Sequence, residues 1–442
     1  MKNPSLLLLS AVCLFPLSAC SDIEGGFVDS TAPSLSGPNY HFEPESRAIL
    51  EPLVSSSRHP KVDMRASGSV YTLGIYQEED YTRLGVFISH DGGDAFAPPV
   101  PIGRGPVNVS SHGENSPSLD FGTLREAYVL FEQITEGEST ELMFARSMDA
   151  GFWFEEPYKI TDKEVPSSNA FSSMRVAPNG DIWAAWLDGR NDPEQATGKA
   201  AVFIARSTDR GKSFGENIQL APEACPCCRP TFAFVDDGEI FVSWRHVFEG
   251  SIRDMVVATS RDGGETFEAP VRVAEDNWHI EGCPHSGASM VHSGGRLYVT
   301  WFTAGSNNEP GIRFTWSDDA GRSFAPAVNA APGVLFANHP NLAVVGADGG
   351  VPGGSGVVLT FQGRAVSAEN KWTPVSPYFV TIGNEGELSL PMQIPSNGGS
   401  ISYPVLTADS LGGVFVAWTE ATDQGNQIVM SRGVKDVRES LR

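Results

Sequence analysis

Short runs of β-branched and aromatic residues recur along the chain at intervals of 55 to 60 residues. Each run has five or six residues, which is too short for a stable helix and therefore predicts a strand. A turn containing proline or serine precedes each run and predicts the start of another strand. We interpret each pair as the first and second strands of a repeated unit, with second strands at Val70–Ile75, Ala127–Phe131, Ile182–Trp186, Ile240–Trp244, Leu297–Trp301, Val357–Phe361 and Val414–Trp418.

A third feature, the phrase S-x-D-x-G-x-x-F, follows the predicted third strand in five of the units. Its glycine permits a positive φ, its Ser and Asp can hydrogen-bond to turn amides, and its Phe can pack under the hairpin. The aspartates are 58, 60, 53 and 57 residues apart, a period typical of radial repeats. Because five copies around a ring cannot all face one site, we expect a structural role for Ser89–Phe96, Ser147–Phe154, Ser207–Phe214, Ser260–Phe267 and Ser317–Phe324.

The repeats predict an all-β fold, a β-propeller of four-stranded antiparallel blades. Seven predicted first strands favour seven blades, and six is the alternative if one set is misassigned. The last unit stops at Ile428–Ser431 without a fourth strand. A strand at about residues 47–54 would complete that blade and close the ring. We therefore expect a single propeller domain over residues 46–442.

The first residues predict export and lipidation. Lys2, the apolar run from Leu6 to Leu17 and the sequence Leu17–Cys20 are typical of a signal peptide over residues 1–19 with a lipoprotein cleavage box. The run is shorter than the roughly 20 residues of a membrane span. Cleavage would leave a lipid on Cys20, followed by a flexible tether over 20–45. Ser21, next to it, favours sorting to the outer membrane over the inner membrane of a bacterial envelope.

The chain carries a net charge of −23, which disfavours polyanionic partners. We therefore expect no nucleic-acid partner, and contact with the membrane only through the lipid anchor. A small molecule, a glycan or a metal ion remains as a ligand class for a monomeric protein. An anionic ligand would need a local group of arginines.

In a propeller, first strands start and second strands end on one face, which we call the axial face, and the Asp phrases lie on the opposite face. Loops that converge near the ring axis are where propellers build sites. The predicted axial positions are rich in reactive side chains. They are Arg58, His59, Asn115, Arg229, His279, His285, His339 and Tyr403 at first-strand starts, and Asp188, Arg190, Arg245, His246 and Glu420 at second-strand ends.

Four cysteines mark two neighbouring first-strand starts, in Cys225-Pro-Cys-Cys228 and Cys283-Pro-His285. In an oxidising envelope they could form disulfides, for example Cys283 with one of the other three. The alternative is a soft-metal site, because thiolates with imidazoles suit copper(I) or zinc. The candidate ligands are Cys225, Cys227, Cys228, Cys283, His59, His279, His285 and His339.

The repeated Asp phrases resemble the Asp-box (BNR) repeats of bacterial sialidases over most of residues 55–435. This resemblance implies a sialidase-like propeller. Sialidases hold the substrate carboxylate with three arginines and use a tyrosine nucleophile, activated by a glutamate, with an aspartate as acid. The resemblance implies Arg58, Arg229 and Arg245 for the arginines, Tyr403 for the nucleophile, Glu420 for its activator and Asp188 for the acid. The chain departs from the family at His59, which replaces an isoleucine, in its seven predicted blades against six, and in its cysteine motifs.

Three functions follow as hypotheses. The leading one is an envelope lipoprotein whose axial face binds a ligand or a soft metal ion through Cys, His and Arg loops. The second is an exo-glycosidase, similar to exo-α-sialidases, acting on sialic acid or another acidic sugar. The third is an interaction scaffold stiffened by disulfides.

Overall fold

The computed structural model describes residues 40–49, 62–64, 68–78, 81–112, 114–135, 139–162, 169–192, 197–235, 238–305, 309–346, 356–366, 372–409, 412–423 and 425–435. Across these ranges the regular elements are 28 strands, with one 3-10 turn at Glu249–Ser251. The prediction of an all-β fold is therefore confirmed. None of the helical structure in these ranges is long and apolar enough to cross a membrane.

The described strands group into seven antiparallel units of four. The first strands are β2 (Val62–Met64), β6 (Ser118–Phe121), β10 (Asn169–Val176), β14 (Thr231–Phe234), β18 (Ser289–Ser293), β22 (Val334–Val344) and β26 (Ile401–Ala408). The second strands are β3 (Val70–Glu78), β7 (Ala127–Ile134), β11 (Ile182–Asp188), β15 (Ile240–Phe248), β19 (Arg296–Thr303), β23 (Val357–Ala365) and β27 (Val414–Thr422).

The outer half of each unit completes the blade. The third strands are β4 (Tyr81–Ser89), β8 (Thr140–Ser147), β12 (Ala200–Ser207), β16 (Ile252–Ser260), β20 (Gly311–Ser317), β24 (Ser376–Ile382) and β28 (Gly425–Lys435). The fourth strands are β5 (Val100–Pro101), β9 (Tyr158–Lys159), β13 (Ile218–Ala224), β17 (Val271–Arg272), β21 (Val328–Asn329), β25 (Met392–Gln393) and, from the start of the chain, β1 (Tyr40–Ile49). Every predicted second strand lies inside an observed one.

The ring is closed by strand pairing and by core packing. β1 pairs with β28, with Tyr40 opposite Lys435 and Ile49 opposite Val429. An apolar cluster joins β2 and β3 to the last unit, including Val62 and Phe415. The predicted closure by an N-terminal strand is found, but the strand starts at Tyr40, so residues 40–45 of the predicted tether belong to the sheet.

The third and fourth units are additionally joined edge to edge. Ala224 at the end of β13 pairs with His246 of β15, so the two units form one eight-stranded sheet. The next residue, Cys225, donates its backbone N–H to the carbonyl of Arg245 at 2.8 Å. This junction fixes the start of the loop that carries three of the cysteines.

The blades are packed together by large aromatic side chains on the second strands. Several indole N–H groups are satisfied by a nearby carboxylate, as buried polar groups must be. Trp186 donates to Asp188 at 2.9 Å, and Trp418 donates to Glu420 at 3.3 Å. In both cases the carboxylate lies two residues after the tryptophan and so on the same side of the strand.

The five Asp boxes have nearly the same internal hydrogen bonds. In each, the Ser hydroxyl donates to the Asp carboxylate at 2.6 to 2.9 Å and accepts the glycine N–H at 2.8 to 3.0 Å. Gly211 has a φ of 74°, and a Cβ there would lie 2.7 Å from the ring of Phe144 in the preceding unit. The glycine therefore allows each turn to pack closely against its neighbour.

Candidate functional site

One first strand from each of the seven units lines a cavity of about 540 Å³ along the ring axis. Glu114, Arg229, His339 and Tyr403 line it at the axial face. Because the first strands start on this face, the side chains at those starts reach the cavity mouth. Two of the four, Arg229 and Tyr403, are among the residues that the sialidase resemblance implied.

The backbone at these starts is distorted in a repeated way. Phe171, His285, His339 and Tyr403 have φ values of 53°, 49°, 52° and 55°. The register of β10, β22 and β26 shifts at the same points, which marks bulges. Left-handed backbone is unfavourable for these residue types, and bulges re-aim side chains at functional sites. Here they bring rings together, with the centroids of His339 and Tyr403 4.5 Å apart.

Glu114 orients His339 at the mouth of the cavity. Its Oε1 lies 2.7 Å from Nδ1 of His339, and its Oε2 accepts the N–H of Gly287 at 2.6 Å. Burial would raise the pKa of Glu114, but the hydrogen bond and charge of His339, the charge of Arg229 and the Gly287 N–H together lower it. The side chain of Glu114 therefore favours its ionised form in a largely buried position.

A second carboxyl group, Glu132, lies deeper and has the opposite tendency. It accepts hydrogen bonds from Asn115 and from the N–H of Ser172. Burial raises its pKa to about 7 despite these bonds. Arg229 lies near both glutamates; burial lowers the pKa of its guanidinium, and the two carboxylates oppose that shift. The mouth therefore combines a cation, an oriented imidazole, a phenol and the Glu114 carboxylate, and the less acidic Glu132 is buried near Arg229.

The four cysteines form one cluster beside this mouth, and all four are free thiols. The Sγ atoms of Cys227 and Cys228 each lie 3.6 Å from Sγ of Cys225. Two groups of ligand atoms lie within 4.8 Å of one another: Cys225, Cys227 and Cys228 in one, and Cys227, Cys283 and His285 in the other. Cys227 is common to both, so the two neighbouring loops meet at its sulfur.

Cys225 is the thiol of this cluster whose ionised form its surroundings favour. Hydrogen bonds from Cys227, Cys228 and Cys283 lower the pKa of its thiol, with help from the charge of Arg245. Arg253, at the start of β16, donates to Cys225 Sγ at 3.2 Å. Burial, followed by the hydrogen bond with Cys225, raises the pKa of Cys228 to about 12.

The structure separates two of the predicted metal ligands from the thiols. His339 is bonded to Glu114 instead. His279 belongs to neither ligand group among the described residues; it is exposed and its backbone bridges to Ile252. His59, like Arg58 and Cys20, lies outside the described residues. His285 is thus the predicted histidine that the fold brings to the cysteines.

Three predicted sialidase-type residues have structural contacts of their own. Arg245 is fully buried and donates to the carbonyls of Arg253, Ser286 and Phe302 at 3.1, 3.0 and 2.7 Å. Asp188 is bonded to Trp186 and to Arg190.

Glu420 is bonded to Trp418 and to the N–H of Gly399 at 3.0 Å. It is therefore held within its own blade, and it is His339 that lies against the Tyr403 ring.

Sequence reasoning missed Glu114, Glu132 and Arg253. Glu114 precedes Asn115 at a predicted first-strand start, so its position carried a usable signal. Glu132 lies near the end of a second strand, which belongs to the same face. Arg253 starts a third strand, and third strands also begin on the axial face, a class of position that the sequence analysis did not consider.

No family model and no curated protein matches the sequence. Solved structures do match. An α-L-arabinanase from Penicillium chrysogenum, complexed with arabinobiose, is 13% identical with a TM-score of 0.50, over 74% of this chain and 96% of its own. The polysaccharide lyase Uly1 is 10% identical with a TM-score of 0.50, over 92% and 94%. A Hadza microbial sialidase, Hz136, is 15% identical with a TM-score of 0.46, over 79% and 72%.

At these identities the similarity concerns the fold alone. The predicted propeller is confirmed, and its solved neighbours include glycosidases and a lyase. Chemically, the axial face offers two distinct arrangements. One is a cavity mouth with acid, base and cationic groups, and the other is a compact group of thiols with an imidazole.

Proposed function

We propose that this chain is a bacterial envelope protein whose sialidase-like propeller holds a soft metal ion, copper(I) or zinc, in the thiol cluster of the axial face. The observation that carries the proposal is the meeting of two loops at Cys227, with thiols on both sides and His285 within the same 4.8 Å. Sulfur with one imidazole is the donor set that soft and borderline metals prefer.

The surroundings of the cluster suit a metal thiolate. A zinc ion bound by three thiolates, or a copper(I) ion bound by two, forms a complex with one net negative charge, which nearby cations can offset. Arg253 already donates to Cys225 Sγ, and Arg245 lies close enough to stabilise the Cys225 thiolate. Such outer partners orient ligands and offset charge at metal sites. Cys225, Cys227 and Cys228 are buried, which shields the bound ion from water and oxidants.

Metal analysis after anaerobic purification tests this function. We expect about one equivalent of copper or zinc and, in competition with a chelator, a loss of affinity of more than about 100-fold in Cys227→Ser, since even outer-shell changes cost 10 to 100-fold. His285→Ala should weaken binding and His279→Ala should not, because only His285 lies with the thiols. Circular dichroism would verify that each variant is folded.

Two results would contradict the proposal. One is reduced protein that takes up neither copper(I) nor zinc. The other is a thiol titration of denatured protein in which all four cysteines prove to be oxidised, which would favour the disulfide-stiffened scaffold instead.

A second candidate function, exo-glycosidase action on sialic acid or another acidic sugar, is favoured by the cavity mouth. Glu114 orients His339, and the ring of His339 lies beside that of Tyr403, so an imidazole and a phenol meet at the cavity mouth. Arg229 supplies a guanidinium for a substrate carboxylate. Tyr403 would act as nucleophile, with His339 in the activating position that the resemblance gave to Glu420.

A fluorogenic sialoside and a fluorogenic glucuronide test this second function. Tyr403→Phe should abolish turnover, and Arg229→Met should mainly raise KM. Activity that is retained in Tyr403→Phe, or absent from the wild type with both substrates across pH 4 to 9, would argue against it.

The proposed location is the outer membrane, through a lipid on Cys20, with the propeller acting as a monomer. Incorporation of radioactive palmitate that is lost in Cys20→Ala is the expected result. A processed protein that carries no lipid would contradict it.

A further inference from the structure

Strand β22 extends further out on the axial face than comparable first strands. The bulged residue is the third residue of β10 and of β26, whereas His339 is the sixth residue of β22. The extra residues pair with the end of β23, where Val334 is opposite Ala365 and Leu335 is opposite Arg364. This hairpin therefore projects beside the cavity mouth.

An exposed aromatic pair lies on this projection. Phe336 is 68% exposed and Trp372, just before β24, is 75% exposed. Their ring centroids are 5.5 Å apart with an interplanar angle of 19°, so the rings are stacked. The guanidinium carbon of Arg364 lies 4.9 Å from the centroid of the Trp372 ring. We call these three residues the aromatic platform.

The backbone conformation of β22 holds Phe336 in its exposed position. The register of β22 shifts twice, once between Leu335 and Asn338 and again between Asn338 and Asn341. Phe336 has a φ of 54°, in the region that is unfavourable for an aromatic residue. The first bulge thus exposes Phe336 and the second presents His339 to the cavity. Backbone strain that keeps an apolar ring exposed to solvent points to a binding role for that ring.

The chemistry of the platform fits a sugar ring. Sugars carry one apolar C–H face, which stacks on aromatic rings, and hydroxyl groups at the edge, which accept hydrogen bonds from a guanidinium. Because a net charge of −23 repels anionic groups in general, an acidic glycan needs local cations, and Arg364 at the platform and Arg229 at the cavity mouth supply them. The platform is also close to the axial cavity along β22, since only Ala337 and Asn338 separate Phe336 from His339, which lines the cavity, a span of roughly 10 Å.

We infer that Phe336, Trp372 and Arg364 form a sugar-stacking subsite that holds the body of an acidic glycan while its terminal residue enters the axial cavity. A terminal residue in the cavity needs at least two further linked rings to cross the span of roughly 10 Å, so a dimer does not reach the platform. The inference rests on the second candidate function, because it supplies the subsite for the remainder of that substrate.

Calorimetry with dimers and hexamers of sialic acid, galacturonic acid and hyaluronan tests the subsite. We expect at least one hexamer to bind on the order of tenfold more tightly than its dimer, as one stacked ring would provide. Trp372→Ala and Phe336→Ala should remove that length advantage and leave dimer binding unchanged. Trp153→Ala is the matched control, because Trp153 is 55% exposed on the Asp-box face.

The outcomes separate the subsite from the cavity. Arg229→Met should weaken dimer and hexamer alike. Unchanged hexamer binding in Trp372→Ala would overturn the subsite and leave the cavity function standing, whereas an effect of Trp372→Ala without any effect of Arg229→Met would do the reverse. Absence of glycan binding, or Trp372-dependent binding to phosphatidylcholine vesicles, would also overturn the inference.

Discussion

The Asp-box face and the axial face of this propeller are built by the same repeat but differ in how uniform their side chains are. On the Asp-box face, five turns keep one Ser–Asp–Gly hydrogen-bond arrangement with distances that agree within 0.3 Å. On the axial face, equivalent strand starts carry a phenylalanine, an arginine, two histidines and a tyrosine. Repetition therefore marks the groups that stabilise the fold, and variation marks the positions at which a propeller can build a site.

The largest effect should separate two arginines that sequence patterns could not tell apart. Arg245→Met leaves three buried carbonyls without a donor, so we expect the free energy of unfolding to fall by at least about 3 kcal/mol. Arg229→Met removes a charge that offsets Glu114 and Glu132, and we expect it to cost less than Arg245→Met. Urea denaturation measures both.

Arg245→Lys should give an intermediate loss, which keeps the test informative if Arg245→Met does not fold. A larger loss of unfolding free energy in Arg229→Met than in Arg245→Met would contradict this prediction. It would show that Arg229 mainly stabilises the fold.

An intermediate effect is expected on the Asp-box face. Asp209→Ala removes acceptors for the hydroxyls of Ser207 and Ser213 and for the N–H groups of Lys212 and Ser213. We expect a loss of about 2 kcal/mol in unfolding free energy with metal and glycan binding unchanged. Lys212→Ala, on the same turn, is the control and should have no effect. A loss of ligand binding in folded Asp209→Ala would contradict a purely structural role.

The smallest effect concerns the dependence of folding stability on pH. As pH rises, the contribution of Glu132 should fall, whereas the contribution of the Asp-box aspartates should increase. Burial raises the pKa of Glu132 to about 7, so its favourable protonated form is lost as pH rises, and stability falls between about 4.5 and 7. Glu132→Gln should flatten the dependence of the melting temperature on pH in that window. An unchanged profile would show that Glu132 is already ionised in the folded protein.

Asp209 and Asp319 should act in the other direction. Burial opposes but does not outweigh the hydrogen bonds of Asp209, and the hydroxyl of Ser323 is the main cause for Asp319; the pKa of each carboxyl falls to about 2. Their contribution is complete above the unfolded pKa and is lost as pH falls from about 4 to 2. Asp319→Asn should therefore weaken the acid dependence of stability, and Glu132→Gln should not affect it.

The sequence predicted the scaffold well because its determinants are local. All seven second strands and all five Asp boxes follow from runs of a few residues whose alternation and turn chemistry are readable without tertiary information. The closing strand was placed too late because Tyr40 and Phe42, which are buried against the last blades, have few strand-like neighbours in a polar segment.

The candidate site was predicted only where neighbouring blades place their first strands side by side, as with Cys225–Cys228 and Cys283. Asp188 and Glu420 were predicted as acid and activator, and the structure adds a contact that the sequence pattern did not show: each carboxylate accepts a hydrogen bond from a buried tryptophan two residues earlier on the same side of the strand. Arg253 and Trp372 precede or start third strands, and nothing in the local pattern shows that these positions return to the axial face.

The pairing of β1 determines the face at which the chain enters the propeller. Tyr40 lies opposite Lys435, at the end of a third strand, so the backbone enters the sheet from the Asp-box side. Any preceding segment is therefore joined to the propeller at the end away from the cavity mouth. Tyr40 and the mouth of the cavity therefore lie on opposite faces of the propeller.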